Sequence, residues 1–278
     1  LAKSADTEVN EAEQIVKYSR KKYKEGTAAR ITHRKIPQAK KTYEVILGRS
    51  FWAWGSELGA SELGISVGNE AAFSNQENKE DGVCCLDLCR IAAERSLNAK
   101  DAAEILGQLV EEFGQGGNTQ MMGNFAFDSG LLVADTSEAY IINCAGKHWA
   151  AKKVKDVYAM SNRYQITDDW DLSSFSKDSF PKKNFNKLYE DKKKPDSVCA
   201  SERENRAQKI LEERKGNISL QDMADIMRDL GEDADNYDPE KAELKQNFVC
   251  MHAKPHPDAF WGATGAMITD SNEEGIIV

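Results

Sequence analysis

The sequence predicts an α+β protein, a four-layer αββα sandwich, from three observations. Strand-like runs fill 12–70 and 131–160, an amphipathic helix pair separates them, and further helices and a last strand run follow. Strands, a helix pair, strands and helices again fit stacked antiparallel sheets between helices better than the repeated βαβ units of a doubly wound sheet. There is no internal repeat and no low-complexity tract, and the 278 residues are assigned to a single domain with a sizeable core.

The elements follow in order. Leu1, Ala2 and Lys3 run into a short polar turn, as though the first half of a β-hairpin had been removed, so the chain is expected to be truncated at its start. QIVKYS at 14–19, KTYEVILGR at 41–49 and GISVGNE at 64–70 read as strands, and the consecutive apolar residues of VILG predict one covered on both faces. Helices are predicted over roughly 84–96 and 99–113, the first setting Cys85, Leu88, Cys89 and Ala92 on one face. The second is capped by Asn98 and carries Ala102, Ile105, Leu106, Leu109 and Phe113 along one stripe. GQGGN at 114–118 stops it.

Residues 131–160 read as a meander of LLVAD, AYIINC, HWAAKKV and VYAMSN, turning at Thr136–Ser137 and Gly146–Lys147. From 165 to 200 charge, aromatics and Pro dominate, with Lys192, Lys193 and Lys194 before Pro195, so a solvated insertion is expected. A capping box from Ser201 to Glu204 predicts a helix burying Ala207, Ile210 and Leu211. Ser219 starts another that buries Met223, Ile226, Met227 and Leu230. NFVCMHA, a Pro-interrupted loop and ATGAMITD follow, and Gly275–Val278 looks cut inside a strand or just before one.

Net charge is −9 with acids and bases interleaved, so no basic face for nucleic acid is expected. No run approaches the ~20 apolar residues of a membrane span, and the first thirty residues are too polar for a signal peptide; a cytoplasmic protein is expected. The six cysteines lack paired C-x-x-C spacing and read as reduced thiols.

Familiar constellations fail. GQGGN lacks the Lys-Ser/Thr of a phosphate loop. His252 and His256 have metal-pair spacing, but Pro255 and Pro257 forbid the helix that would bring them together. His33 and His148 are isolated and no G-x-S-x-G accompanies them. No metal and no cofactor are expected. Lys3, Asp6, Asn69 and Asn162, by contrast, fall at predicted strand ends, where compact polar groups point into a cleft from a rigid frame. Each is equally an ordinary turn residue.

The order of Lys3-Ser-Ala-Asp6, FWAWGSELGASELGISVGNEAAF at 51–73, GQGGN, LLVADTSEAYIINCAGKHWAA and Ser161-Asn162-Arg163 resembles the secernin and dipeptidase branch of the N-terminal-nucleophile (Ntn) hydrolases. The similarity runs over about 1–165, and more loosely over NFVCMHAKPHPD and ATGAMITD.

The resemblance implies a cysteine-type hydrolase of small peptides or acylated amines, with its N-terminal cysteine upstream of Leu1. Such a cysteine supplies both thiol and base, since its α-amine titrates near ~7.7–8.0. By the same resemblance Asp6 holds that amine, Lys3 lowers the thiol pKa, Asn69 and Asn162 donate to the oxyanion, and Trp54 and Glu70 line the substrate cleft, Glu70 meeting a peptide's amino terminus. Ser4 stands where the family more often carries Asn. The alternatives are a secernin-like interaction protein that keeps the fold without turnover, and an N-acyl amide acylase; a homo-oligomer is a further expected state.

Overall fold

The computed structural model describes residues 1–8, 10–176, 181–191, 193, 198–232, 235, 238, 248–251, 261–272 and 275–278. His252, His256, Lys192, Lys194 and Pro195 lie outside the described residues. The described elements are β1 (Ala2–Glu8), β2 (Glu13–Tyr18), β3 (Lys21–Lys22), β4 (Ala28–Arg30), β5 (Lys35–Pro37), β6 (Lys41–Thr42), β7 (Val45–Ser50), β8 (Leu58–Ser61) and β9 (Ser66–Ala72). The helix pair α1 (Cys85–Arg95) and α2 (Ala99–Phe113) leads to β10 (Asp128–Ala134), β11 (Ala139–Ala145), β12 (His148–Lys153) and β13 (Leu172–Ser173). Then come α3 (Phe185–Tyr189), α4 (Ala200–Glu213), α5 (Leu220–Met227), β14 (Trp261–Ile268), β15 (Asp270–Asn272) and β16 (Gly275–Ile277).

An eight-stranded antiparallel sheet, in the order β13-β12-β11-β10-β9-β8-β7-β2, forms the frame. Its strands alternate, so neighbouring residues serve opposite faces. Leu131 and Ile142 pack with Leu88, Ile91, Leu106 and Val110 of the helix pair, whereas Ile141 and Ala150 pack on the other side with Tyr164, Trp170 and Phe185. On that second side β1 and β14 form a two-stranded sheet, with α5 beyond it. The layer order is αββα, as the sequence predicts.

The start of the chain is a strand rather than a polar turn. Lys3, Ala5 and Thr7 are buried in alternation, and the backbone partners of β1 come from β14, so no local pattern announces the pairing. Asn69 accordingly sits inside β9, and Asn162 lies in an irregular turn. VYAMSN makes no strand, because Ala159 N donates to Gln208 Oε1 and β12 pairs with β13 instead.

The Ser201–Glu204 capping box does not form. α4 begins at Ala200 behind Cys199, whose φ is 50°; Ser201 Oγ accepts from Arg163 and Glu204 Oε2 from Gln165. The helix starts at Asn98 and Ser219 behave as expected: Asn98 accepts from Asp101 N, and Ser219 and Asp222 cap each other. Within 165–200, Ile166, Trp170, Phe185 and Tyr189 are buried, so the described part of that stretch is not uniformly solvated.

One arrangement adds to the four layers. α1 is buried on every side because the segment from Ser19 to Glu44 folds across its outer face as a ribbon, with β3 paired to β6 and β4 to β5. Thr32 donates to Asp87 through N and Oγ1, Tyr43 N donates to Glu94 O, and Ile31 and Ile36 join the helix-side core.

Candidate functional site

β1 crosses β9 where Gly68 has no side chain; a Cβ there would lie 3.0 Å from that of Lys3. The crossing lets the Lys3 ammonium reach Glu70 on β9, 3.5 Å away. Between Ala5 and Asp6 the β1–β14 ladder skips a residue of β14, a bulge that increases local twist. Lys3 and Asp6 therefore border one cavity although three residues apart on a strand.

That cavity, of about 270 Å³, lies at the ends of both sheets. Its polar wall holds Lys3, Asp6, Glu8, Glu11, Glu57, Asn69, Glu70 and Asn162. Phe73, Phe125, Phe127 and Trp261 form the apolar wall, with Phe125 at its centre: ring centroids lie 6.1 Å from Phe73, 5.8 Å from Phe127 and 6.0 Å from Trp261.

Four of these side chains, Lys3, Asp6, Glu70 and Asn162, form one continuous network with Arg203. Arg203 on α4 donates from Nη2 to Asp6 Oδ2 over 2.7 Å and from Nη1 to Asn162 Oδ1 over 3.2 Å. Asn162 Nδ2 donates to Ala71 O at 3.1 Å and reaches Glu70 Oε2 at 3.5 Å, and Glu70 returns to Lys3. Both ends of the Asn162 amide are thus fixed. Asp6 Oδ1 is buried without a hydrogen-bond partner among the described residues.

Electrostatics follow from burial and from these neighbours. Burial works against the Lys3 ammonium, yet Glu70, Glu57 and Asp6 together hold its pKa above the ordinary lysine value. Arg203 is likewise held up against its burial, by Asp6 and Glu70. Burial raises Glu70, with Lys3 and Arg203 opposing. Glu57 is pushed up to about 8 by burial, with Glu13, Glu70 and Glu11 adding to the effect of burial and Lys3 resisting it.

Four of the six expected residues, Lys3, Asp6, Glu70 and Asn162, are linked in the network. Asn69 borders the cavity, but its Nδ2 points at the Cys85 thiol 3.5 Å away, because its place in β9 turns it to the helix side. Trp54 is not in the cavity: Arg90 lies 4.0 Å over its ring and Tyr18 backs the same guanidinium at 4.2 Å, so it braces α1 against the sheet. The aromatic place expected for it is taken by Trp261.

Sequence reasoning missed Glu8, Glu11, Glu57 and Arg203. Glu8 was within reach, as an alternation partner on β1; Arg203 carried no local signal, since it meets Asp6 only through tertiary packing. His33 Nε2 lies 2.6 Å from Asn118 O, at the foot of the loop that carries Phe125.

No cysteine is in a disulfide. Burial raises the thiol pKa of Cys84, Cys85 and Cys144, and carries Cys89 to about 12 and Cys250 upward, which disfavours the thiolate. Among the described residues no group of three His, Cys, Asp or Glu side chains is set to hold a metal ion, and no helix is long and apolar enough to cross a membrane.

Among solved structures the chain is similar to penicillin V acylase from Agrobacterium tumefaciens, at 13% identity and a TM-score of 0.38, covering 55% of this chain and 44% of that one. It thus spans less than half the length of that acylase. It is also similar to two variants of conjugated bile acid hydrolase from Clostridium perfringens, both at 9% identity. One has a TM-score of 0.45 over 94% of this chain and 78% of that one, the other 0.49 over 96% and 81%. The fold assignment rests on the layer order described above rather than on these likenesses. The family model for Peptidase family C69 matches residues 55–197, just over half of the sequence, from the turn before β8 through Asn162 and α3. The chain belongs to Peptidase family C69.

Proposed function

We propose that this chain builds the substrate cavity of a cysteine-type Ntn amide hydrolase acting on small peptides that carry a free amine. One observation carries the peptide reading: Glu8, Glu11 and Glu57 border the cavity and make no ion pair among the described residues. Burial holds Glu57 protonated at neutral pH even with Lys3 nearby, and an arriving ammonium would favour its carboxylate while giving Glu8 and Glu11 a counter-charge.

The attacking sulfur in this reading is the N-terminal cysteine that the family resemblance implies, and it is in keeping with this that burial raises the thiols at 84, 85, 89, 144 and 250 and that Cys199 is buried as well. The unpartnered Asp6 Oδ1 is suited to accept from the α-amine of that cysteine. Lys3 supplies positive charge that favours a thiolate nearby. Asn69 keeps one amide N–H beyond its contact with Cys85 for the developing oxyanion, whereas Asn162, whose two N–H groups face Ala71 O and Glu70, would have to release Glu70 to donate there. Glu70, already paired with Lys3, is the less suited of the carboxylates to meet the substrate amine, and Glu57 the better.

The aromatic wall favours a second reading, an acylase for apolar N-acyl amides. A single panel separates the two: a free dipeptide, its N-acetylated form and an N-acyl amide, assayed on the protein with its native amino terminus. The peptide reading expects kcat/KM for the free dipeptide about 10²-fold above the acetylated form, because acetylation leaves the carboxylates unmatched. Equal rates would transfer the assignment to the acylase, and no turnover of any would favour a secernin-like interaction protein. A cytoplasmic setting is supported by the absence of disulfides.

A further inference from the structure

The ribbon over α1 holds a charge pattern that hydrolysis does not use. The ribbon, residues 19–44, contains nine Lys and Arg and two acids, Glu25 and Glu44, a net of +7 within a chain of net −9. The remainder is therefore −16. Averaged over the sequence the charges look interleaved; folded, they are not.

Strand pairing concentrates the effect. Lys22 stands opposite Lys41 and Arg30 opposite Lys35, two cross-strand pairs of like charge. Such pairs destabilise a ladder. Ala29 and Ile36 turn inward to the core, so Arg30 and Lys35 share the outward face. Lys22, Lys24, Arg30 and Lys35 are exposed, and their side chains make no hydrogen bond or ion pair among the described residues.

We propose that this face docks a short acidic polypeptide segment. Charge complementarity selects the partner's sign, and three features select its class. The cations are mostly lysines, point charges without the planar fork that reads phosphates or bases. The ribbon tyrosines are covered, Tyr23 by Lys21 and Tyr43 by Lys41 and Arg20, which leaves no ring for a base to stack on. An extended polyanion, whether duplex or membrane plane, would also run past the ribbon against the acidic remainder, whereas a short segment meets the cations alone.

The test titrates a fluorescein-labelled oligoglutamate peptide into the full chain at about 50 and about 200 mM salt. The same titration is made on the variant Lys22→Gln, Arg30→Gln, Lys35→Gln, Lys41→Gln. The wild type is expected to bind, with affinity falling about 10-fold in the variant and about 10-fold at the higher salt. Removing the like-charge pairs should leave the melting temperature of the variant unchanged or raised, and Arg30→Gln alone should weaken binding about 2-fold. The proposal is overturned if the wild type does not bind the peptide, if the variants bind it equally well, or if duplex DNA or phosphatidylserine vesicles bind more tightly.

Discussion

Arg203 and Asp6 stand 197 residues apart in the chain and 2.7 Å apart in space, and their contact joins the α4 layer to the inner sheet beside the cavity. Because Arg203 also holds Asn162, one guanidinium orients two of the polar groups at the site.

Arg203→Met should therefore lower stability by about 2–3 kcal/mol. That is below the ~3–5 of a fully buried pair, because both side chains retain some solvent contact. Chemical denaturation of the variant, of Asp6→Asn and of the double variant checks this. The double variant should be less destabilised than the sum of the two, since neither charge is left stranded.

Glu57 makes stability depend on pH in the direction opposite to most carboxyls. Its pKa in the folded protein is about 8, against an ordinary 4.5. Below the lower value it is protonated in both states. Between the two the unfolded chain releases its proton and the folded chain keeps it, so this contribution to stability declines with rising pH and is lost above the folded value. Urea midpoints of wild type and Glu57→Gln, compared across that window, should show the decline in the wild type and a smaller one in the variant.

Asn162→Ala and Asn69→Ala test the oxyanion roles. Loss of one donor should lower kcat about 10²- to 10³-fold with KM little changed. Asn162→Ala should in addition loosen Arg203 and lower the melting temperature, whereas the Asn69 amide, turned to Cys85, should cost turnover with less effect on stability. Unchanged turnover in both variants would remove the two asparagines from the chemistry.

Gly107→Ala sets helix propensity against packing. Alanine gains about 1 kcal/mol in a helix interior. Its Cβ, however, would fall 2.2 Å from Cε2 of Trp149, a ring tied in place by its Nε1 bond to Glu111. Overpacking costs about 1–3 kcal/mol, so a net loss is expected, measurable as a lower denaturation midpoint.

How much of this was legible depended on the range of the interaction. α2 with its Asn98 cap, the stop at Gly114 and the strand carrying Asn69 and Glu70 are written in local pattern. β1 is not, because its hydrogen bonds come from β14, nor is Arg203, whose partner belongs to β1. Trp54 was misplaced for a related reason: its sequence shows a large aromatic beside glycines, and only the fold shows that Arg90 occupies its face. The charged ribbon was hidden by averaging over the whole chain.

The pairing of β1 with β14 also dictates timing. During synthesis the eight-stranded sheet and its helices can form once β13 has emerged, but the first strand must wait for Trp261–Ile268 before its ladder can close. Lys3 and Asp6 reach Glu70 and Arg203 only then, so the wall of the cavity that β1 supplies is set after the rest of its frame is in place.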